Sequence, residues 1–146
     1  MTIKRVGILG SGIMGSGIAE VAAKTGHEVV LRSRKQETAD AMVASLTKSL
    51  AKQVERGKLT EEESQTVRAR VSATANLHDL ADCDLVIESV VEDLAIKTEL
   101  FKELDLVVKA SAILATNTST LPVIDMAVVT DRPDRVVGVH FFNPAP

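Results

Sequence analysis

Three groups of residues in this chain could do chemistry on a small polar molecule. Thr116-Asn117-Thr118-Ser119-Thr120 gathers hydroxyls around a carboxamide, His140 leads into Phe141-Phe142-Asn143, and Gly10-Ser11-Gly12-Ile13-Met14-Gly15 is a glycine-spaced turn. An imidazole can take the proton of a secondary alcohol while hydride leaves the same carbon, and a neighbouring Ser or Asn can hold the oxygen. A glycine-spaced turn that opens a helix can carry the phosphates of a hydride acceptor on backbone N–H groups. Together these residues suit oxidation of an alcohol or reduction of a carbonyl. Metal chemistry is not expected: Cys83 is a lone cysteine without companions at ligand spacing, and it enters an apolar run as a buried, inert thiol.

The elements that must position these groups are legible from periodicity. Thr2–Leu9 is apolar and β-branched and reads as a strand. Ile13–Thr25 is helical, with Met14, Ile18, Val21 and Ala22 on one face and Gly26 as its stop. Glu28–Leu31 is a second strand. A long helix spans Gln36 to Arg56, with Ala39, Met42, Val43, Leu46, Leu50 and Val54 inward and Gly57 closing it. Thr60-Glu61-Glu62-Glu63 is a capping-box pattern that starts a shorter helix to Arg70. Val71–Thr74, Asp84–Ser89, Ala112–Ala115 and Arg135–His140 read as further strands. Leu94–Lys109 is a helix with Leu100, Phe101, Leu104, Val107 and Val108 inward, and Pro122 opens a short one. Strands alternating with helices predict an α/β, doubly wound parallel sheet of Rossmann type. The expected strand order is 3-2-1-4-5-6, with ligands at the carboxyl ends of the strands. The helical hairpin after the second strand is longer than a crossover needs, so contacts of its own are expected.

Totals narrow the class. With 146 residues, 45% hydrophobic and 25% charged, the chain is expected to form one domain with a real core, and residues 1–146 read as a dinucleotide-binding domain. Three Phe and no Trp or Tyr make that core aliphatic. A net charge of −3 offers no field for nucleic acid. No apolar run reaches membrane-spanning length, and Met1 abuts the first strand without room for a signal peptide; a cytoplasmic protein is expected.

Strand, glycine turn, helix and second strand in that order make Gly10, Gly12 and Gly15 a dinucleotide fingerprint. Gly10 permits the tight turn, Gly12 lets backbone approach the pyrophosphate, and Gly15 allows close helix–strand packing. Ile13 and Met14 begin the helix whose N–H groups face the phosphates. The acid that would accept from a ribose 2′-hydroxyl is missing from the end of the second strand, where Arg32-Ser33-Arg34-Lys35 stands instead. Ser33 is small and neutral, and Arg34 can fork onto a phosphate, so NADP is favoured over NAD.

In Gly10–Gly15 with Ser16-Gly17-Ile18-Ala19, Asp84-Leu85-Val86-Ile87-Glu88, Val91-Glu92-Asp93 with Lys97, Asn117-Thr118-Ser119 and Val139-His140-Phe141-Phe142-Asn143-Pro144, the chain resembles the NAD-binding domain of the 3-hydroxyacyl-CoA dehydrogenases, near the bacterial 3-hydroxybutyryl-CoA type. The resemblance implies that His140 is the catalytic base, that Ser119 binds the substrate oxygen, and that Asn143 lines the same site. It further implies that Glu92 and Lys97 contact the nicotinamide side with Asn117 nearby, and that Ser49 and Arg56 meet the CoA moiety. Two departures accompany it. Ser33 replaces the family's usual acid, and the glutamate that orients the histidine falls beyond Pro146, as does the helical C-terminal domain for substrate binding and dimerisation. The parent is then a monofunctional, homodimeric enzyme acting on acyl-CoA, and the 146 residues alone turn over poorly or not at all. The residues by themselves also leave open a different β-hydroxyacid dehydrogenase or a non-catalytic nucleotide-binding module.

Overall fold

The computed structural model of the chain describes residues 2–10, 12–142 and 145. In chain order its elements are β1 (Arg5–Gly10), α1 (Ile13–Lys24), β2 (Glu28–Arg32), α2 (Gln36–Glu55), α3 (Glu61–Ala69), β3 (Val71–Thr74), β4 (Leu85–Ser89), α4 (Leu94–Val107), β5 (Ile113–Thr116), α5 (Val123–Ala127) and β6 (Val136–Gly138). The six strands form one parallel sheet in the order β3-β2-β1-β4-β5-β6, as expected. Parallel pairing needs a crossover between neighbours, so the helices cover both faces.

Side-chain alternation along each strand divides the core in two. Val6 and Ile8, Val29 and Leu31, Ile87 and Ala115 face one way, onto Ile18 of α1 and Leu46 and Leu50 of α2. Leu9, Val30, Val86 and Leu114 face the other way, onto Phe101 and Leu104 of α4 and Met126 of α5. The hairpin of α2 and α3 is present, and its capping box closes in both directions: Glu63 N–H donates to Thr60 Oγ1 at 3.1 Å and Thr60 N–H to Glu63 Oε1 at 3.0 Å. Gly26 (φ +95°) and Gly57 (φ +70°) end α1 and α2 in the left-handed region that favours glycine. Cys83 is buried, which pushes its thiol up to about 11.

Three expectations need correction. The buried stripe of α1 is Gly15, Ile18, Ala19 and Ala23, while Met14, Val21 and Ala22 are only half-buried. Gly15 faces inward because the end of Met42 on α2 comes close on that side. The last strand ends at Gly138, short of His140, because Asn117 takes over the pairing there; and the helix after Pro122 begins at Val123, with Pro122 as its cap.

Candidate functional site

Reversal of strand order between β1 and β4 opens a crevice at their carboxyl ends, and the glycine turn sits in it. Each glycine has a different neighbour. A Cβ on Gly10 would lie 2.8 Å from the backbone oxygen of Ser89, its register partner on β4. Gly10 therefore serves strand-to-strand approach; it has no positive φ. A Cβ on Gly15 would lie 2.5 Å from Met42 Cε but 3.9 Å from Ile8 Cγ2, so the crowding is helix α1 against helix α2, and the helix–strand contact expected at Gly15 is ordinary. Among the described residues beyond its chain neighbours, a Cβ on Gly12 would meet no atom within 4 Å. Packing among the described residues does not require that glycine, and the space beside it is open. Gly12 is the N-cap of α1 and contributes no side chain. The intrahelical ladder starts at Ser16, whose N–H donates to Gly12 O at 3.4 Å, so the N–H groups of Ile13, Met14 and Gly15 lack intrahelical acceptors. Ile13 is 74% exposed beside them.

A cleft of about 340 Å³ runs from Gly10 past the end of β2, lined by Ser33, Arg34, Val90, Glu99 and Glu103 among others. That volume suits a small ligand or part of a larger one. Ser33 is buried, and its N–H donates to Thr74 O at 3.1 Å. Arg32 donates through Nε to Ala75 O at 3.2 Å; burial draws its pKa down, and Glu103 across the cleft opposes that. Among the described residues Arg34 makes no side-chain hydrogen bond or ion pair. Glu99 and Glu103 were not foreseen, because helical periodicity shows which face of α4 is polar but not what it faces.

Beyond the ends of β4, β5 and β6 the chemistry-bearing residues converge. Glu88, the fourth residue of β4, is fully buried. It accepts from Lys97 Nζ at 2.9 Å, from Val90 N–H at 2.8 Å and from Thr116 Oγ1 at 2.5 Å. Lys97 also reaches Glu92 Oε1 at 2.7 Å, and Glu92 Oε2 accepts from Thr118 Oγ1 at 2.6 Å and Thr120 Oγ1 at 2.8 Å. Partial burial works against the charged form of Glu92. The hydrogen bonds from Lys97, Thr118 and Thr120 outweigh it and bring the carboxyl down to about 2. Lys97 has no exposed side-chain surface, so the direct cofactor contact expected of it is not available in this arrangement; its ammonium is committed to two carboxylates. Glu88 was missed, although a carboxylate in an apolar strand and a lysine on the inward stripe of a helix are each a signal for a buried partner.

Asn117 joins the neighbouring strand ends. Its N–H donates to Glu88 O at 2.8 Å, its Nδ2 reaches Ser89 Oγ at 3.3 Å, and its Oδ1 accepts from Phe141 N–H at 2.7 Å. This clamp seats the His140–Phe142 segment over the end of β5. His140 is exposed, with its ring 4.6 Å from that of Phe142. Ser119 is exposed on the loop between β5 and α5. Among the described residues neither side chain makes a hydrogen bond. Asn143 lies outside the described residues.

On the far side of the glycine turn, Ser49 is half-buried and its hydroxyl accepts from Gln53 Nε2 at 3.2 Å; Gln53 also donates to Glu20 Oε2 at 3.1 Å. Glu20 is buried between α1 and α2 and is paired with Lys24 at 3.0 Å. Arg56 is exposed at the C-cap of α2. Ser49 and Arg56 are seven residues apart on one helix and are not brought to the strand-end cluster. The described residues contain no group of three potential metal ligands and no helix long and apolar enough to cross a membrane.

The open cradle at Gly12, the three N–H groups without intrahelical acceptors and the adjoining cleft fit a dinucleotide. Residues 5–146 match the family described as 3-hydroxyacyl-CoA dehydrogenase, NAD binding domain. A 3-hydroxybutyryl-CoA dehydrogenase of Mycobacterium tuberculosis is 48% identical over 99% of this chain and 51% of its own length, and that of Clostridioides difficile is 47% identical over 97% and 50%. The crystal structure of M. tuberculosis FadB2 superposes with a TM-score of 0.96 at 47% identity, covering 100% of this chain and 52% of that one. The chain thus spans about half the length of the curated relatives it matches. With the glycine cradle at the switch point and a match over nearly every residue, the chain belongs to the 3-hydroxyacyl-CoA dehydrogenase family, as its NAD-binding domain.

Proposed function

We propose that this chain is the cofactor-binding part of an enzyme that interconverts (S)-3-hydroxyacyl-CoA and 3-oxoacyl-CoA, with 3-hydroxybutyryl-CoA as the substrate. The observation that carries the reading is the Asn117 clamp, which holds the His140 segment and the Ser119 loop at the ends of adjacent strands. A nicotinamide bound there would supply hydride transfer to and from the substrate's C3. His140 takes the alcohol proton in oxidation and returns it in reduction, the Ser119 hydroxyl holds the oxygen, and Asn143 lines the same site. Gly12, with the N–H groups of Ile13, Met14 and Gly15, carries the pyrophosphate; Gly10 lets β1 lie close to β4 just before that turn; Glu92 and Asn117 border the nicotinamide end. Ser49 and Arg56 meet the CoA moiety. The whole protein is a cytoplasmic homodimer.

The adenosine end is proposed to favour NADP. Ser33 leaves no carboxylate to repel a 2′-phosphate, and Arg34 supplies a forked donor. The test is titration of the chain with NADPH and NADH, followed by the same pair with S33D. Tighter NADPH binding that S33D reverses is expected, and tighter NADH binding by the unaltered chain refutes the preference. Turnover with acetoacetyl-CoA by a longer protein carrying these residues, lost in H140A, tests the chemistry; unchanged turnover in H140A removes it.

A further inference from the structure

The polar cluster of Glu88, Lys97 and Glu92 is built deeper than cofactor contact requires. Glu88 and Lys97 have no exposed side-chain surface, so neither can touch a ligand itself. Burying two charges costs free energy unless every polar atom is partnered, and here the partners form a chain that leads outward. Glu88, bound to Thr116 and Val90 N–H, fixes Lys97; Lys97 fixes Glu92; Glu92 holds Thr118 and Thr120. Thr118 Oγ1 in turn accepts from Leu121 N–H at 3.1 Å. The loop so held, Thr118–Leu121, contains Ser119 and adjoins Asn117. Two carboxylates and one ammonium also leave the cluster with one net negative charge.

We propose that Glu88 is a positioning residue of the proposed dehydrogenase reaction, acting through Lys97 and Glu92 to lock the Thr118–Leu121 loop and to hold one negative charge at the nicotinamide end of the site. The inference rests on the reading of the chain as a dinucleotide site. A bound oxidised nicotinamide carries a positive charge that the reduced form lacks. A net negative cluster therefore favours the oxidised dinucleotide, and the two affinities report the charge separately from the fold.

The experiment titrates NAD+ and NADH into the chain, E88Q and E88Q/K97M, and follows exchange of the Leu121 amide in each without dinucleotide. Glutamine keeps the shape of Glu88 and removes the charge; its oxygen can accept from Lys97 and Val90 N–H while its amide N–H donates to Thr116 Oγ1, whose hydroxyl can turn to accept. In E88Q the dissociation constant for NAD+ should rise about fivefold and that for NADH by less than about twofold. In E88Q/K97M the ion pair is replaced by neutral groups, a change that buried pairs tolerate. Glu92 then restores the net charge, so the NAD+ to NADH ratio should return to that of the unaltered chain. Leu121 should nonetheless exchange at least about tenfold faster, because Glu92 has lost Lys97. An unaltered ratio in E88Q, or unaltered Leu121 exchange in E88Q/K97M, overturns the proposal. Should E88Q not fold, Leu121 exchange in the double variant decides alone. If the unaltered chain binds neither dinucleotide, the reading as a dinucleotide site fails, and Leu121 exchange still decides the positioning role.

Discussion

Substituting Gly12 by alanine separates what the fold needs from what a ligand needs. The backbone there is extended (φ −137°, ψ −170°), a conformation open to any residue, and a Cβ would meet nothing within 4 Å among the described residues beyond its chain neighbours. Replacing glycine by alanine at an unstrained position stabilises by about 0.4–1 kcal/mol through the unfolded chain. Alanine is also a poorer N-cap than glycine, at a cost of about 1 kcal/mol. These effects nearly cancel, so the free energy of unfolding should stay within about 1 kcal/mol of the unaltered chain, a shift in Tm of about 4 °C or less. Binding should respond differently. The added methyl fills the space beside the free N–H groups of α1, and NADH affinity should fall by at least about tenfold, or about 1.4 kcal/mol. G10A provides the contrast, because its Cβ would lie 2.8 Å from the backbone oxygen of Ser89. Strands must separate to admit it, at a cost of about 1–3 kcal/mol. Urea denaturation and NADH fluorescence titration of the two variants test this together. Native-like NADH binding by G12A, or a loss of stability in G12A as large as in G10A, refutes the reasoning.

Further outcomes follow from other contacts. Arg132 is buried and donates to Asp105 Oδ1 at 2.7 Å and to the carbonyls of Asp105, Val108, Lys109 and Ala112, closing the C-terminal end of α4. R132A should cost about 3–5 kcal/mol in urea denaturation, since Asp105 and those carbonyls lose their donor; a loss below about 1 kcal/mol contradicts that role. R132K should recover little of it, because an ammonium cannot span the fork. The Glu92 carboxyl, at about 2 in the folded chain against an ordinary 4.5, is lowered by folding. Its contribution should be fully present above pH 4.5 and shrink as the pH falls toward 2, so the stability difference between the unaltered chain and E92Q should narrow over that range. A difference that grows on acidification would be the wrong sign. N117A frees Phe141 N–H, and exchange of that amide should accelerate by about tenfold, a local loss of about 1–1.5 kcal/mol; unchanged exchange would show that the His140 segment is held by something else.

Much of this protein is written in local pattern. Continuous apolar runs at Val6–Leu9, Val29–Leu31 and Leu85–Ile87, the pattern of strands buried on both faces, and the three-and-four spacing from Ala39 to Leu50 suffice for the strands, helices and sheet order. Crossover chirality leaves little choice once the elements are known. The glycine turn was legible for the same reason: its function depends on backbone, which follows from residues adjacent in sequence. Local pattern failed where partners are distant. Alternation cannot tell that Glu88 meets Lys97 across the β4–α4 turn, or that Asn117 and Phe141, 24 residues apart, share a hydrogen bond that stops β6 at Gly138. Nor does it show that Gly15, Ala19 and Ala23, beside Ile18, form the inner face of α1 in place of Met14, Val21 and Ala22. The sequence by itself determined the fold and the place of the dinucleotide cradle, because both arise from short-range periodicity. Tertiary structure alone decided which polar side chains face the ligand and which are spent holding one another, because burial and pairing depend on contacts between elements that no local pattern encodes.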